Sequence, residues 1–264
     1  MINQENLHSQ KRIDRWPVLL FCFGVPTAVI AIALHVIYPW LVTEGLTQFD
    51  ALVVTTTVPM ALLIVAAVGV YQAEGNPMSW RAFRERLRLN PFRWHYLLWG
   101  MGIFLVAGFL GSLLQGASLF LIEQGWVSVP DYAPILYDPT QDLTRSAAWE
   151  QFVGGRLVGQ WRLVVLYFIL WIFNVVGEEL WWRGIILPHQ ETRHRGAAWL
   201  VHGGLWWTFH LFKWWDMLLI LPICLALPWV AQRTKSMWPG LIAHAIANAT
   251  PLIFLILGAA GIFG

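Results

Sequence analysis

The chain has 264 residues, is 58% hydrophobic and only 12% charged, and has a mean hydropathy of +0.57. That balance excludes an ordinary soluble domain, and because apolar runs recur from Trp16 to the C-terminus it also excludes a soluble domain on a single anchor. The net charge of +2 comes from small clusters flanking the apolar runs, a pattern that points to the lipid bilayer as partner and away from nucleic acid.

The first apolar run, Trp16 to about Val42, follows Lys11, Arg12 and Arg15. It is longer than a signal-peptide core and lacks a small-residue cleavage pattern, so it reads as a retained first helix. Further spans are expected at 51–71, 94–122, 161–188, 197–213, 215–231, 238–249 and 251–263. The fold class is therefore all-α, a polytopic transmembrane bundle of about eight helices, with 1–264 forming one integral membrane domain. The last two segments are short and divided at Pro251, which suggests a tilted or re-entrant pair and leaves seven spans open. "SWRAFRERLRLNPFRW", Ser79 to Trp94, reads as a topology-setting loop, with an amphipathic surface helix as the alternative. The long connection from Glu123 to Gln160 has room for an interfacial helix. Cys22 and Cys224 lie within apolar runs as small hydrophobes, without metal-ligand spacing.

Basic residues set the topology. Lys11, Arg12 and Arg15 precede the first span and Arg81, Arg84, Arg86, Arg88 and Arg93 precede the third, whereas residues 43–50 hold no Lys or Arg. This places the N-terminus in the cytoplasm of a multi-pass protein, most simply of a bacterial inner membrane. The fourth span then runs from outside to inside, which puts its glutamates in the cytoplasmic half and suggests access from that side.

Charged groups inside hydrocarbon are expensive and mark function. The fourth span carries Asn174, Glu178, Glu179 and Arg183, the fifth His202 and His210, and the seventh His244 and Asn248. Glu179 and Arg183 are four apart, about 40° around a helix, and can pair within the segment. Glu178, about 100° from Glu179, is left to find partners on other helices. His244 and Asn248 are also four apart, so an imidazole and an amide point into one space. His202, Trp206 and His210 form a stripe with an aromatic shelf between two imidazoles. Together these groups suit hydrolysis. Glu178, helped by His210, would activate water, and His244 and Asn248 would donate to the oxygen of the tetrahedral intermediate. No Ser, Thr or Cys lies in an obvious nucleophile pattern beside them, so water is favoured as the attacking group. His202 reads as a packing histidine, His189 and His194 as solvated, and Asn174 as an interhelical hydrogen-bonding group.

"EELWWR" (Glu178 to Arg183), "WWTFH" (Trp206 to His210) and "HAIAN" (His244 to Asn248) resemble the EExxxR, FxxxH and HxxxN motifs of the CPBP family, in that order on successive apolar segments. The family contains type II CAAX prenyl endopeptidases and the bacteriocin-processing and immunity-associated Abi proteins. The resemblance covers roughly the second half of the chain, with 161–249 carrying the motifs. It implies glutamic-type intramembrane proteolysis in an eight-helix bundle, without a cofactor. Glu178 and His210 would activate water, His244 and Asn248 would form the oxyanion hole, and Glu179, Arg183 and Trp206 would support the site. Trp206 stands where the family usually has phenylalanine, a change expected to alter pocket shape more than chemistry. The implied partner is a membrane-associated or lipidated protein or peptide.

Two rivals stay open. Glu178, His210 and His244 could ligate zinc, although no HExxH segment is present and Asn248 then has no necessary role. The same bundle could also serve as a non-catalytic immunity or scaffold protein. A proton-coupled transporter is disfavoured by the lack of an internal repeat.

Overall fold

In the computed structural model, which describes residues 16–263, every regular element is helical. Lys11, Arg12 and Arg15 lie outside the described residues. A backbone surrounded by lipid has to satisfy its polar groups internally, which is why apolar runs of this length fold as helices. Helix α1 spans Trp16–Thr43 with a π-helical stretch at Ala33–Ile37, and α2 spans Gln48–Ala73. The Thr47 hydroxyl caps α2 by accepting from the Asp50 amide at 3.0 Å. A short α3, Trp80–Arg86, precedes α4, Trp94–Glu123. The connection that follows carries a 3-10 turn, Ile135–Tyr137, and the short α5, Ser146–Val153. Helix α6, Trp161–Glu178, continues through a π-helical stretch, Glu179–Ile186, into α7, Leu187–His194. Then come α8, Ala198–Phe209, a 3-10 segment, His210–Asp216, and α9, Met217–Thr234. Helices α10, Trp238–Ala247, and α11, Thr250–Ala259, each carry a proline in the first turn, Pro239 and Pro251, and meet at a bend of 46°.

The all-α polytopic architecture is as expected, while length and composition do not separate eight spans. Among the described residues, four helical stretches are long and apolar enough to cross a membrane, or up to five if the bent α10–α11 pair is one span. The reason is length: α8 has 12 residues and α10 and α11 have 10 each, whereas a full crossing takes about 20. The fourth stretch, Trp161–Thr234, is broken at Arg195 (φ 50°, ψ −122°) and at Lys213 (φ −130°, ψ 59°), so it is three helical pieces in sequence.

Two glycines let the central helices touch. A Cβ at Gly177 would stand 2.5 Å from the Met60 carbonyl oxygen, and one at Gly203 would stand 2.8 Å from that of Cys224. The first contact seats α6 against α2 one residue before Glu178, and the second seats α8 against α9.

The arginine-rich connection is both a helix and a fastening. Ser79 caps α3, and Arg86, its last residue, bridges Glu74 at 2.5 Å and donates to the Gly184 carbonyl at 3.0 Å. His189 is buried, not solvated, with Nε2 2.8 Å from Glu74 Oε1. Arg88 and Lys235 both pair with Glu191. Burial opposes the Glu74 charge, but His189 and Arg86 outweigh it and hold the carboxyl at about 2, against an ordinary 4.5. A depressed carboxyl stabilises the fold fully above its unfolded value and loses that contribution as pH falls from about 4.5 toward 2. Limited proteolysis of the 76–89 segment is therefore expected to rise across that window, and Glu74→Gln to make it susceptible already at neutral pH.

Candidate active site

Helix α6 brings its charges to the centre of the bundle, and the π-helical stretch starts at Glu179, where i→i+5 bonding widens the turn. Consecutive glutamates consequently serve different neighbours. Glu178 is buried and both its oxygens are held: Asn174 Nδ2 donates to Oε1 at 3.0 Å, and Trp206 Nε1 on α8 donates to Oε2 at 2.8 Å. One of its two donors comes from another helix, as helical spacing suggested, and the other from one turn back on α6.

Glu179 is fully buried, with Oε1 3.3 Å from Arg183 Nη1 and 3.0 Å from His244 Nδ1 on α10. The intrasegment pair with Arg183 is present, yet Glu179 divides itself between that cation and an imidazole. Its Oε2 has no hydrogen-bond partner among the described residues, and neither has any guanidinium nitrogen of Arg183. The Arg183 charge rests instead on Glu179 and on the face of Trp206, whose centroid lies 3.6 Å from the guanidinium carbon.

Trp206 thus does more than shape a pocket. Its face carries Arg183, its N–H holds Glu178, and its ring meets the imidazoles of His210 and His244 edge-on at 5.2 and 5.9 Å. A phenylalanine would keep the stacking and lose the N–H.

The two histidines are oriented by acceptors. His210 Nδ1 lies 2.9 Å from the Trp206 carbonyl, which can only accept, so Nδ1 carries the proton and Nε2 is the free lone pair of the neutral ring. His244 Nδ1 faces the Glu179 carboxylate, which leaves its Nε2 free in the same way. Asn248, at the end of α10, donates Nδ2 to Asn174 Oδ1 at 2.8 Å and retains a second N–H. Asn174 is therefore both an interhelical bond and a link from Asn248 to Glu178. His202, fully buried on Gln190 Oε1 at 2.5 Å, stays apart from this group.

Glu178, Trp206, His210, His244 and Asn248 line one cavity of about 160 Å³, while Glu179 and Arg183 stand behind its wall. Spacing within segments could not have found three other lining residues. Tyr137 comes from the connection after α4, Lys213 from the break in the 3-10 segment, and Cys224 from α9 with Sγ 3.9 Å from His210 Nδ1. The presence of Tyr137 bears on access. Its turn is tied to the N-terminal end of α2 by Ile135 N donating to Gln48 Oε1 at 3.3 Å, whereas the arginine-rich connection grips the opposite end at Glu74. The cavity adjoins a larger one of about 670 Å³ that shares Tyr137, Tyr167, Lys213 and Asn248 and is walled by α4 from Phe104 to Ser112. The larger space thus adjoins the site on its Tyr137 side. Among the described residues no three His, Cys, Asp or Glu side chains are grouped so as to hold a metal ion.

Fold and site define an integral membrane protein in which one buried carboxylate, Glu178, and two imidazoles, His210 and His244, converge from separate segments on an internal cavity. Residues 160–250, α6 through α10 and about a third of the chain, match the family described as Type II CAAX prenyl endopeptidase Rce1-like, and the matched segment is the one that carries the three motifs. No curated protein and no solved structure matches the chain. At the level of the family, the activity is that of a CAAX-type membrane peptidase.

Proposed function

We propose that the protein is a glutamic-type intramembrane endopeptidase that cleaves a membrane-associated or lipidated protein with activated water. The observation that carries this reading is the convergence of Glu178, His210, His244 and Asn248, from α6, the segment after α8, and α10, on one small cavity. Glu178, fixed by Asn174 and Trp206, takes a proton from water held between it and His210 Nε2. The water oxygen attacks the peptide carbonyl carbon, and charge develops on the carbonyl oxygen. The second N–H of Asn248 donates to that oxygen, as does His244 from Nε2 when its ring carries both protons beside Glu179. Glu178 then returns the proton to the leaving amine as the C–N bond breaks.

The larger cavity beside α4 supplies room for the substrate chain next to the scissile bond. The placement of Arg81 to Arg93 supports a cytoplasmic N-terminus, and a bacterial inner membrane is the simplest setting for it. Zinc would need Glu178, His210 and His244 to turn toward a common point. Purified protein in proteoliposomes is expected to keep full cleavage after treatment with a strong chelator. Loss of cleavage restored by added zinc would replace the glutamate mechanism with a metal one.

A further inference from the structure

On the flank of the bundle away from the candidate site, two open cavities meet. One, of about 390 Å³, is polar and lined by Gly196, Trp199, Trp229, Gln232, Arg233 and Lys235. The other, of about 410 Å³, runs between α4 and α9 past Ile103, Val106, Leu110, Pro222 and Ala226. Trp199 and Trp229 line both, so the pair is one groove with a basic mouth and an apolar body.

The floor of the mouth is fixed. Gln232 accepts from the Trp199 amide at 2.7 Å and donates to the Arg195 carbonyl at 2.8 Å, and Trp229 packs edge-on against Trp99 at 5.7 Å. Its cations are not used up. Arg233 is exposed and has no hydrogen bond or ion pair among the described residues, and the Lys235 ammonium, paired with Glu191, is 60% exposed with donors to spare. From Arg233 to Pro222 the groove follows α9 for about 16 Å at 1.5 Å per residue, close to the depth of one leaflet of a ~30 Å hydrocarbon core.

We propose that this groove binds an anionic phospholipid, with its phosphate on Arg233 and Lys235, its glycerol region between Trp199 and Trp229, and an acyl chain along the α4–α9 seam. Charge complementarity selects this occupant. A transmembrane helix would fill the apolar body but bring no anion to the guanidinium, whereas a phosphate takes a fork of two N–H donors. Paired tryptophans at the junction of polar and apolar surface suit the headgroup level of a bilayer. The site also touches the larger internal cavity, because Ala107 of α4 lines both.

The test uses detergent-purified full-length protein, titrated separately with phosphatidylglycerol, phosphatidylcholine and inorganic phosphate, and read by native mass spectrometry and thermal unfolding. Phosphatidylglycerol is expected to remain bound and raise the unfolding temperature, and the other two are not. Arg233→Gln is expected to weaken phosphatidylglycerol retention about fivefold, the equivalent of one basic residue at a charged lipid surface. Leu110→Trp, which fills the apolar body from a half-exposed position, is expected to exclude the lipid while leaving the mouth intact. Equal retention of the two phospholipids, binding of inorganic phosphate alone, unchanged retention in both variants, or a protein dimer in place of lipid adducts would each overturn the proposal.

Discussion

Glu178→Gln is expected to abolish cleavage in proteoliposomes, by at least the 10²- to 10⁴-fold that a positioned general base supplies. Glutamine keeps the volume of the side chain and can still accept one hydrogen bond, but it cannot take a proton from water. Its amide nitrogen would also confront Asn174 Nδ2 or Trp206 Nε1, donor against donor, a local penalty of about 1–3 kcal/mol. That is small beside the packing of the surrounding helices, so the variant should insert and fold normally by circular dichroism and membrane fractionation. Proteomics of cells carrying either form would then identify the substrate as a membrane protein that accumulates uncleaved with the variant. Cleavage at wild-type rate by a folded Glu178→Gln protein would refute the glutamate mechanism, and a cellular phenotype surviving the change would point to a binding role for the bundle.

Arg183→Met should have the largest effect on stability. Arg183 and Glu179 are both fully buried, and deleting the cation leaves the carboxylate to His244 alone. Breaking a buried pair from one side typically destabilises by about 3–5 kcal/mol, because the remaining charge stays where water cannot reach it. The double variant Glu179→Gln/Arg183→Met removes both charges and is expected to recover most of that loss in a thermal unfolding series, yet to remain inactive because His244 has lost its anchoring anion. Full stability of the single variant would show that His244 suffices to balance Glu179.

How much could be read in advance follows from what helical periodicity encodes. It fixes which residues of one segment share a face, so the segments themselves, the pairing of Glu179 with Arg183 and the joint projection of His244 and Asn248 were legible. It does not fix how one helix is rotated against the next. The Trp206 N–H on Glu178, the bridge from Asn248 through Asn174, and the division of Glu179 between α6 and α10 all depend on that rotation. The π-helical stretch adds to the problem, since angles computed for 3.6 residues per turn fail from Glu179 onward. Tyr137 gave no signal, because nothing near it in the chain shares its destination. His189 stands among arginines and glutamates that look solvated in sequence but fold inward as a closed cluster.

The bond from Arg86 to the Gly184 carbonyl has a mechanical consequence. Gly184 lies within the π-helical stretch that also holds Glu179 and Arg183, and Arg86 is anchored in turn on Glu74 at the end of α2. The short connection ahead of α4 therefore acts as a splint across the least regular part of the helical run that carries Glu178 and Glu179, clamping one of its carbonyls from outside. Amide exchange along residues 179–186 should accordingly report on the state of a loop that touches no reacting atom.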